Sequence, residues 1–316
     1  MTAIPLIAVA DATGVVGGAV ARAILKDPLR RYRLRALVRS SHSPQGEALA
    51  NAGAEVVEVE LDDATSTLRG LRGAHAAFAV TDFWAHGSPE RELSQARAMA
   101  TAARLADLGH VIWCTHEDSR TWMAPGDERM PTLMQRYKVP PFDAKGEADV
   151  FFGASGVPVT YFRPALAWEQ LLGFGMGPRR AEDGSLRLAL PLGGRPIPGI
   201  ALDDIGWIVL RLLGDAAPTA ARTVGVAAAH HTGEELAAAF RRALGESVMY
   251  DAVPFGSWRA SGIPAAEELG NMFQFMHDFS AMYCAHRPVE AARELHPAVQ
   301  SLDAWLTVHR SRIPSV

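Results

Sequence analysis

The chain is 316 residues long, 48% hydrophobic and 21% charged, with a formal net charge of −4. Those values fit a soluble globular protein with a well-buried core, in one large domain or two unequal ones, and the lack of a basic block argues against nucleic acid as a direct partner. The two cysteines, Cys114 and Cys284, form no CxxC pair, which argues against a disulfide framework and fits a reducing cytoplasm. The first apolar run, Ile4–Ala10, lacks the basic flank and the length of a signal peptide. No stretch reaches the roughly 18 apolar residues of a membrane span. The expectation is a soluble, cytoplasmic protein without membrane attachment.

Short, mostly apolar runs at Pro5–Ala10, Arg33–Val38, Glu55–Val59, Ala76–Thr81, Val111–Thr115 and Val157–Phe162 read as parallel strands covered on both faces. Between them, Gly17–Lys26, Gln45–Ala52, Glu90–Ala106 and Phe142–Gly153 carry helical spacing, and a short turn is expected near Leu68. Repeated strand–helix–strand units predict an α/β fold built on a doubly wound parallel sheet of the Rossmann type. After Arg163 the rhythm changes. Gly173–Gly177, Gly184 and Pro191–Gly199 suggest excursions, Leu202–Leu213 a helix, and Thr223–Ala227 a last strand, with Ala216–Ala229 read as loop plus strand. From Thr232 the pattern is helical at Glu234–Leu244, Ala265–Met282 and Leu302–His309, with one strand at Val248–Val253. This predicts a dinucleotide-binding domain over residues 1–165 with 201–227, and a smaller, mainly helical substrate-side or partner-side lobe over 166–200 with 228–316.

After the first strand comes Asp11-Ala12-Thr13-Gly14-Val15-Val16-Gly17-Gly18, opening a helix. Gly14 permits close approach of a diphosphate and Gly17 tight helix–strand packing, while the helix N-terminus offers free N–H groups and a positive dipole end. The first glycine of the expected G-x-x-G-x-x-G is replaced by Asp11. Aspartate reaches the left-handed conformation more readily than most residues, so the turn can survive. Its carboxylate, placed beside phosphate charges, would either face solvent harmlessly or weaken the site. At the end of the second strand, Arg39 suits a 2′-phosphate and so favours NADP over NAD, with Ser40 and Ser41 as helpers. The alternative is an exposed strand-end arginine.

Phe142, Lys145, Asp149 and Phe152 fall on one helical stripe. A lysine there snorkels, pairs with Asp149 at i+4, or reaches into a cleft, and its place after strand five favours the cleft. Trp113-Cys114-Thr115-His116-Glu117 lies where open α/β sheets place ligands. His116 beside Glu117 is either an acid–base candidate or a loop cap. Cys114 is read as strand filler rather than nucleophile. Tyr137 and Lys138, before Pro140-Pro141, are expected in a lid; Trp168, Glu169 and Gln170 are expected to face the same cleft, although aromatic packing explains Trp168 equally well. Adjacent His230 and His231 diverge in extended chain, and with no HExxH or similar spacing no metal site is expected. Asn271–Met282, rich in Met and Phe, reads as helix core or pocket wall.

Taken together, Ala12-Thr13-Gly14-x-x-Gly17-Gly18, Val38-Arg39, Thr81-Asp82-Phe83-Trp84, Phe142-Asp143-Ala144-Lys145-Gly146-Glu147, Gly156-Val157-Pro158, Arg163–Leu172, Phe174-Gly175-Met176-Gly177, Asp204-Ile205-Gly206 and Asn271-Met272-Phe273 resemble NmrA/HSCARG-type proteins along nearly the whole chain. The resemblance implies an atypical short-chain dehydrogenase fold that binds NADP(H), in roles from redox-sensing regulator to reductase. It implies that Thr13, Gly14, Val16 and Gly17 line the diphosphate and that Arg39 and Ser40 meet the 2′-phosphate. Thr81 would lie beside the adenosine half, and Lys145 at the nicotinamide ribose. Phe83, Trp84, Trp168 and Gln170 would wall a substrate pocket. Pro141 stands four residues before Lys145, where ordinary relatives have a catalytic tyrosine, so proton donation from that position is excluded. Relatives have serine–threonine–leucine where this chain has Cys114-Thr115-His116.

Three functions follow. The first is an NADP(H)-binding sensor or regulator, or a weakly catalytic atypical short-chain dehydrogenase, with a small-molecule ligand and a protein partner. The second is an NADPH-dependent reductase of a small carbonyl or unsaturated substrate, with Lys145, Thr115 or His116 supplying protons. The third is a redox-neutral isomerase, cyclase or lyase using the same cleft with a degraded cofactor site, motivated by Asp11, Pro141 and His116. A homodimer through a sheet edge or the C-terminal helices is compatible with each.

Overall fold

The computed structural model describes residues 4–124, 126–173, 176–214 and 222–313. The readings that fall on Phe174-Gly175 and on the stretch 216–221 lie outside them. The chain forms two compact units.

The first unit comprises Met1–Asp118, Pro141–Arg163 and Leu202–Val224. Its strands are β1 (Leu6–Val9), β2 (Arg33–Val38), β3 (Glu55–Glu58), β4 (Ala76–Ala79), β5 (His110–Cys114) and β6 (Val159–Pro164). They run parallel, joined by α1 (Val15–Lys26), α2 (Pro44–Asn51), α3 (Ala64–Leu71), α4 (Pro89–Leu105) and α5 (Pro140–Gly153). The order across the sheet is β3-β2-β1-β4-β5-β6, with Arg222–Val226 beside β6. This is a Rossmann-type α/β fold, whose order reverses between β1 and β4 and opens a crevice at the carboxyl ends of those strands. Every residue of β1, β4 and β5 is buried, as strands covered on both faces require.

Glycine sets the closest packing. A Cβ on Gly206, in α6 (Leu202–Leu213), would lie 2.4 Å from the Ala19 carbonyl oxygen of α1. One on Gly17 would lie 2.3 Å from the Asp11 carbonyl oxygen. The expected turn near Leu68 is instead the two-turn helix α3. Its Ala-Thr-Ser-Thr sequence has weak helix propensity, but Asp63 caps it by accepting from the Thr65 and Ser66 amides, and Thr67, Gly70 and Leu71 are buried.

The second unit comprises Ser119–Pro140, Pro164–Ala201 and Gly225–Val316. Besides its helices it holds two three-stranded sheets. One has the order Ala229–His231, Ile197–Ile200, Leu166–Ala167; the other has Val248–Ala252, Leu186–Leu190, Arg179–Arg180. The helix Gly233–Leu244 starts at a Thr232–Glu235 capping box and ends at left-handed Gly245. The single helix expected over Ala265–Met282 is two, Ala266–Asp278 and Ser280–Ala285. They break at Phe279, whose φ of −113° leaves the helical well. Apolar periodicity runs through that break and so does not report it. Met272, Phe273, Phe275 and Met276 are buried, as the pattern implies.

Tyr137 and Lys138 are not a lid. Both are buried, and Lys138 Nζ donates to the Asp127 and Met130 carbonyls at 2.6 and 2.7 Å. Asn271 Nδ2 ties down the same segment through the Pro131 and Lys138 carbonyls, and Gln274 Nε2 through that of Arg129. A buried ammonium finds carbonyl acceptors far more readily in a pinned loop than in a moving one.

Candidate functional site

The turn between β1 and α1 places Asp11 at φ +47°, in the left-handed region that its residue type tolerates. Asp11 is half-buried and folds its carboxyl back over the start of α1: a Cβ on Gly14 would lie 1.7 Å from Asp11 Oδ2. A side chain at position 14 would therefore have to displace the Asp11 carboxyl from this place. Gly14 is also the N-cap residue of α1, and no side chain caps that helix, so its first amides remain available to an acceptor. Thr13 and Val16 flank this turn half-buried.

A cleft of about 110 Å³ opens at the carboxyl ends of the strands, all within the first unit. Asp11 follows β1, Val38 and Arg39 close β2, Glu60 and Leu61 follow β3, and Asp82, Ala85 and His86 follow β4. Arg39 is exposed and makes no hydrogen bond or ion pair among the described residues, which leaves its guanidinium available to a ligand. Ser41, by contrast, is committed: its amide and hydroxyl both donate to Glu58 Oε1 at 2.8 Å. Ser40 stays exposed beside it, its carbonyl accepting from Ser43 Oγ. Burial pushes the Asp11 carboxyl up from 3.8 to about 6; the neighbouring Asp82 charge adds to this, and Arg39 and Lys145 pull the other way.

Behind the cleft lies a buried polar cluster. Lys145 Nζ donates to the Thr81 carbonyl at 2.8 Å and to Thr81 Oγ1 at 2.7 Å, and pairs with Glu92 Oε1 at 2.6 Å. Thr81 Oγ1 in turn donates to Glu92 Oε1. His86 Nε2 stands 3.4 Å from Glu92 Oε2, an ion-pair distance without hydrogen-bond alignment. The Ser88 amide donates to His86 Nδ1, which fixes that nitrogen as the acceptor. Glu92 has no exposed surface. Burial opposes its ionisation, yet the Lys145 ammonium and the hydrogen bonds it receives hold its carboxyl below the usual range. Lys145 therefore pairs with Glu92 and Thr81, and not with Asp149 at i+4.

Asp149 serves a second cluster. Trp113 and Thr115 are two apart on extended chain and point to one side, where both donate to Asp149 Oδ1, at 2.9 and 2.6 Å. Arg163 approaches Asp149 at 3.6 Å and Glu117 at 3.9 Å. Burial raises the Asp149 carboxyl to about 6, against the Thr115 hydrogen bond and the Arg163 charge. His116 stacks on Phe142, ring centroids 4.2 Å apart and planes within 10°. Helix α5 fits tightly here, since a Cβ on Gly146 would meet the Asp118 amide nitrogen at 2.5 Å. Cys114, fully enclosed, has its thiol pushed up to about 11 by burial, as befits strand filler.

The structure thus gathers Asp11 and Arg39 at the cleft, with Thr81 and Lys145 behind it, and Thr115 in the neighbouring Asp149 cluster. Phe83 is buried against Trp84 and His86, while Trp84 is 43% exposed. Trp168 and Gln170 belong to the second unit, where Trp168 is buried against Trp305 and His231. Trp305 Nε1 donates to Glu169 there. His230 and His231 diverge as expected, His230 Nε2 toward the Arg287 carbonyl and His231 toward Trp168. Among the described residues no group of three or more His, Cys, Asp or Glu side chains could hold a metal ion, and no helix is long and apolar enough to cross a membrane. Sequence reasoning missed Glu92, His86 and Asp149's partners. The detectable signal was Glu92 itself, an acid on the buried stripe it shares with Gln95, Ala96, Met99 and Ala103 of α4.

Comparison with known proteins bears on the family and the fold. The sequence model of the NmrA-like family matches residues 5–306. The chain is 28% identical over 301 residues to the NmrA-like family domain-containing oxidoreductase FrzB of Cladobotryum sp, covering 90% of this chain and 88% of that protein. Its fold is similar to that of Nmra, a negative transcriptional regulator, solved in complex with NADP (TM-score 0.77, 20% identity, 96% of this chain and 94% of the other). It is likewise similar to Citrobacter sp. triphenylmethane reductase complexed with NADP(H) (TM-score 0.75, 18% identity, 96% and 99%).

Proposed function

The chain belongs to the NmrA-like family, and from that premise we propose that it binds NADP(H) in the first-unit cleft and acts as a dinucleotide sensor or a weakly catalytic relative of the reductases. The observation that carries this reading is Arg39: a free guanidinium at the end of β2, on the rim of a crevice at the switch point of a Rossmann sheet. The uncapped N-terminus of α1, with Gly14 and Gly17, fits a diphosphate, and Arg39 with Ser40 fits a 2′-phosphate. NADP accompanies both fold neighbours. When bound, the dinucleotide would supply a hydride; Lys145, tied to Glu92 and Thr81, would fix its own helix and the β4 end around that ligand.

Weak or absent turnover is the expectation because the short-chain dehydrogenase proton donor is missing. Pro141 occupies the first turn of α5, where proline is favoured and no proton is available. A sensor of this kind would pass its state to a protein partner. The alternative, a reductase of a small carbonyl or unsaturated substrate, is favoured by one observation: FrzB, matched over 88% of its length, is an oxidoreductase.

Calorimetric titration with NADPH, NADP and NADH tests the binding step. The two phosphorylated forms should bind at least about tenfold more tightly than NADH, and Arg39→Ala should erase that preference. Equal affinities, or no binding of any form, would overturn the assignment. NADPH oxidation with a triphenylmethane dye, a quinone or an unsaturated carbonyl then separates reductase from sensor. Turnover without any nicotinamide would instead mark a redox-neutral enzyme.

A further inference from the structure

Asp11 is the cleft acid that lies against the start of α1, where an anion bound at those amides would meet it. Its carboxyl lies against Gly14, the residue that opens the uncapped α1, so whatever approaches those amides also approaches Asp11. The charges around it come from every neighbouring element. Asp82 and His86 follow β4, Glu60 follows β3, Arg39 follows β2, Arg91 projects from α4 and Lys145 from α5. Two of the three cations are already engaged, Arg91 with Asp62 and Lys145 with Glu92. The acids Asp11, Asp82 and Glu60 are thus opposed mainly by Arg39, the same side chain a 2′-phosphate would claim.

Adding a diphosphate beside an ionised Asp11 places like charges together in a partly buried site, where their repulsion is poorly screened. A protonated carboxyl reverses the sign of that contact, because it carries an O–H that donates to a phosphate oxygen. We infer that dinucleotide binding in this protein is proton-linked, with Asp11 taking up one proton from solvent as the ligand arrives and then serving as a donor at the α1 turn. The inference rests on the NADP(H) reading above. Burial and Asp82 already bias the free protein toward the neutral carboxyl. The turn tolerates the neutral form without rearrangement, since its backbone bond, Gly14 N–H to the Asp11 carbonyl at 2.8 Å, does not involve the carboxyl.

Calorimetry with NADP at about pH 7.5, in buffers of different ionisation enthalpy, reads the proton count directly. The 2′-phosphate also titrates, so the quantity of interest is wild type minus Asp11→Asn, in which that contribution cancels. The wild type should take up nearly one proton more per ligand than Asp11→Asn. Its affinity should fall up to about tenfold per pH unit above neutrality relative to the variant, whose curve stays flatter. Asp11→Gly, which restores the ordinary turn, should behave like Asp11→Asn and provides a second check if the amide variant folds poorly. Equal proton uptake and parallel pH curves for wild type and both variants would overturn the proton linkage while leaving NADP binding intact. Failure of all three proteins to bind NADP would remove the dinucleotide reading and the inference with it.

Discussion

Glu92 lies with no exposed surface between a lysine, a threonine and a histidine, and its charge is what makes Lys145 tolerable inside the first unit. Glu92→Gln should destabilise the protein by about 3 kcal/mol in chemical denaturation, because it strands a buried ammonium. Glu92→Leu combined with Lys145→Met should recover most of that loss, as an apolar pair needs no partner. A double variant no better than the single one would mean that the cluster is not held by the charge pair. Asp11 gives a stability signature of opposite kind. Its pKa is higher folded than the ordinary 3.8, so the folded chain binds more protons and this group's contribution declines as pH rises from about 4 through 6. A rise to about 6 corresponds to roughly 3 kcal/mol against folding at neutral pH, as an upper bound. Asp11→Asn should therefore match wild type near pH 4 and exceed it near pH 7.5; equal stability at both would contradict the burial argument. The positions of Gly14, Gly17 and Arg39 at the cleft were legible in the sequence because each lies a few residues past a strand end, and that of Lys145 because it falls on the apolar stripe of α5. The partners were not, because Glu92 and Thr81 reach Lys145 only through the pairing of β4 with β5, and such distant register has no local signature.

Elements succeeded or failed in the reading by length and by what covers them. β2, α6 and the helix Leu302–His309 have the bounds their patterns predict, and the other central strands lie within two residues of theirs. Long periodic runs repeat their signal several times. The short strands Leu166–Ala167, Arg179–Arg180 and Ile197–Ile200 escaped, since runs of two to four residues are too short to show a period and depend on partners elsewhere in the chain. The helix pair α1–α6 makes the clearest element-level prediction. Gly206→Ala places a methyl 2.4 Å from the Ala19 carbonyl oxygen, and backbone yields less readily than a side chain. A loss of about 1–3 kcal/mol is expected on denaturant unfolding. Gly256→Ala, in the helix Phe255–Arg259 with open space beside it, should be neutral or slightly stabilising. Similar losses at the two positions would show that close approach is not what Gly206 provides.

At the scale of the molecule, each unit is assembled from three stretches of chain, so neither is a segment that can be cut out. A fragment ending at Asp118 keeps β1–β5 but lacks α5, β6 and α6. It uncovers the α1 face that receives Gly206 and the β5 edge that receives β6. It should show no cooperative unfolding and little near-ultraviolet circular dichroism; a sharp transition would disprove that interdependence. The same partition gives the two cysteines a use unrelated to any chemistry of their own. Cys114 belongs to the first unit and Cys284 to the second, and both are buried. A thiol reagent present during gradual denaturation would mark each unit at the moment it opens, and mass spectrometry of the two peptides would time them separately. One common labelling curve would describe a chain that opens as a whole, and two curves would say which half lets go first.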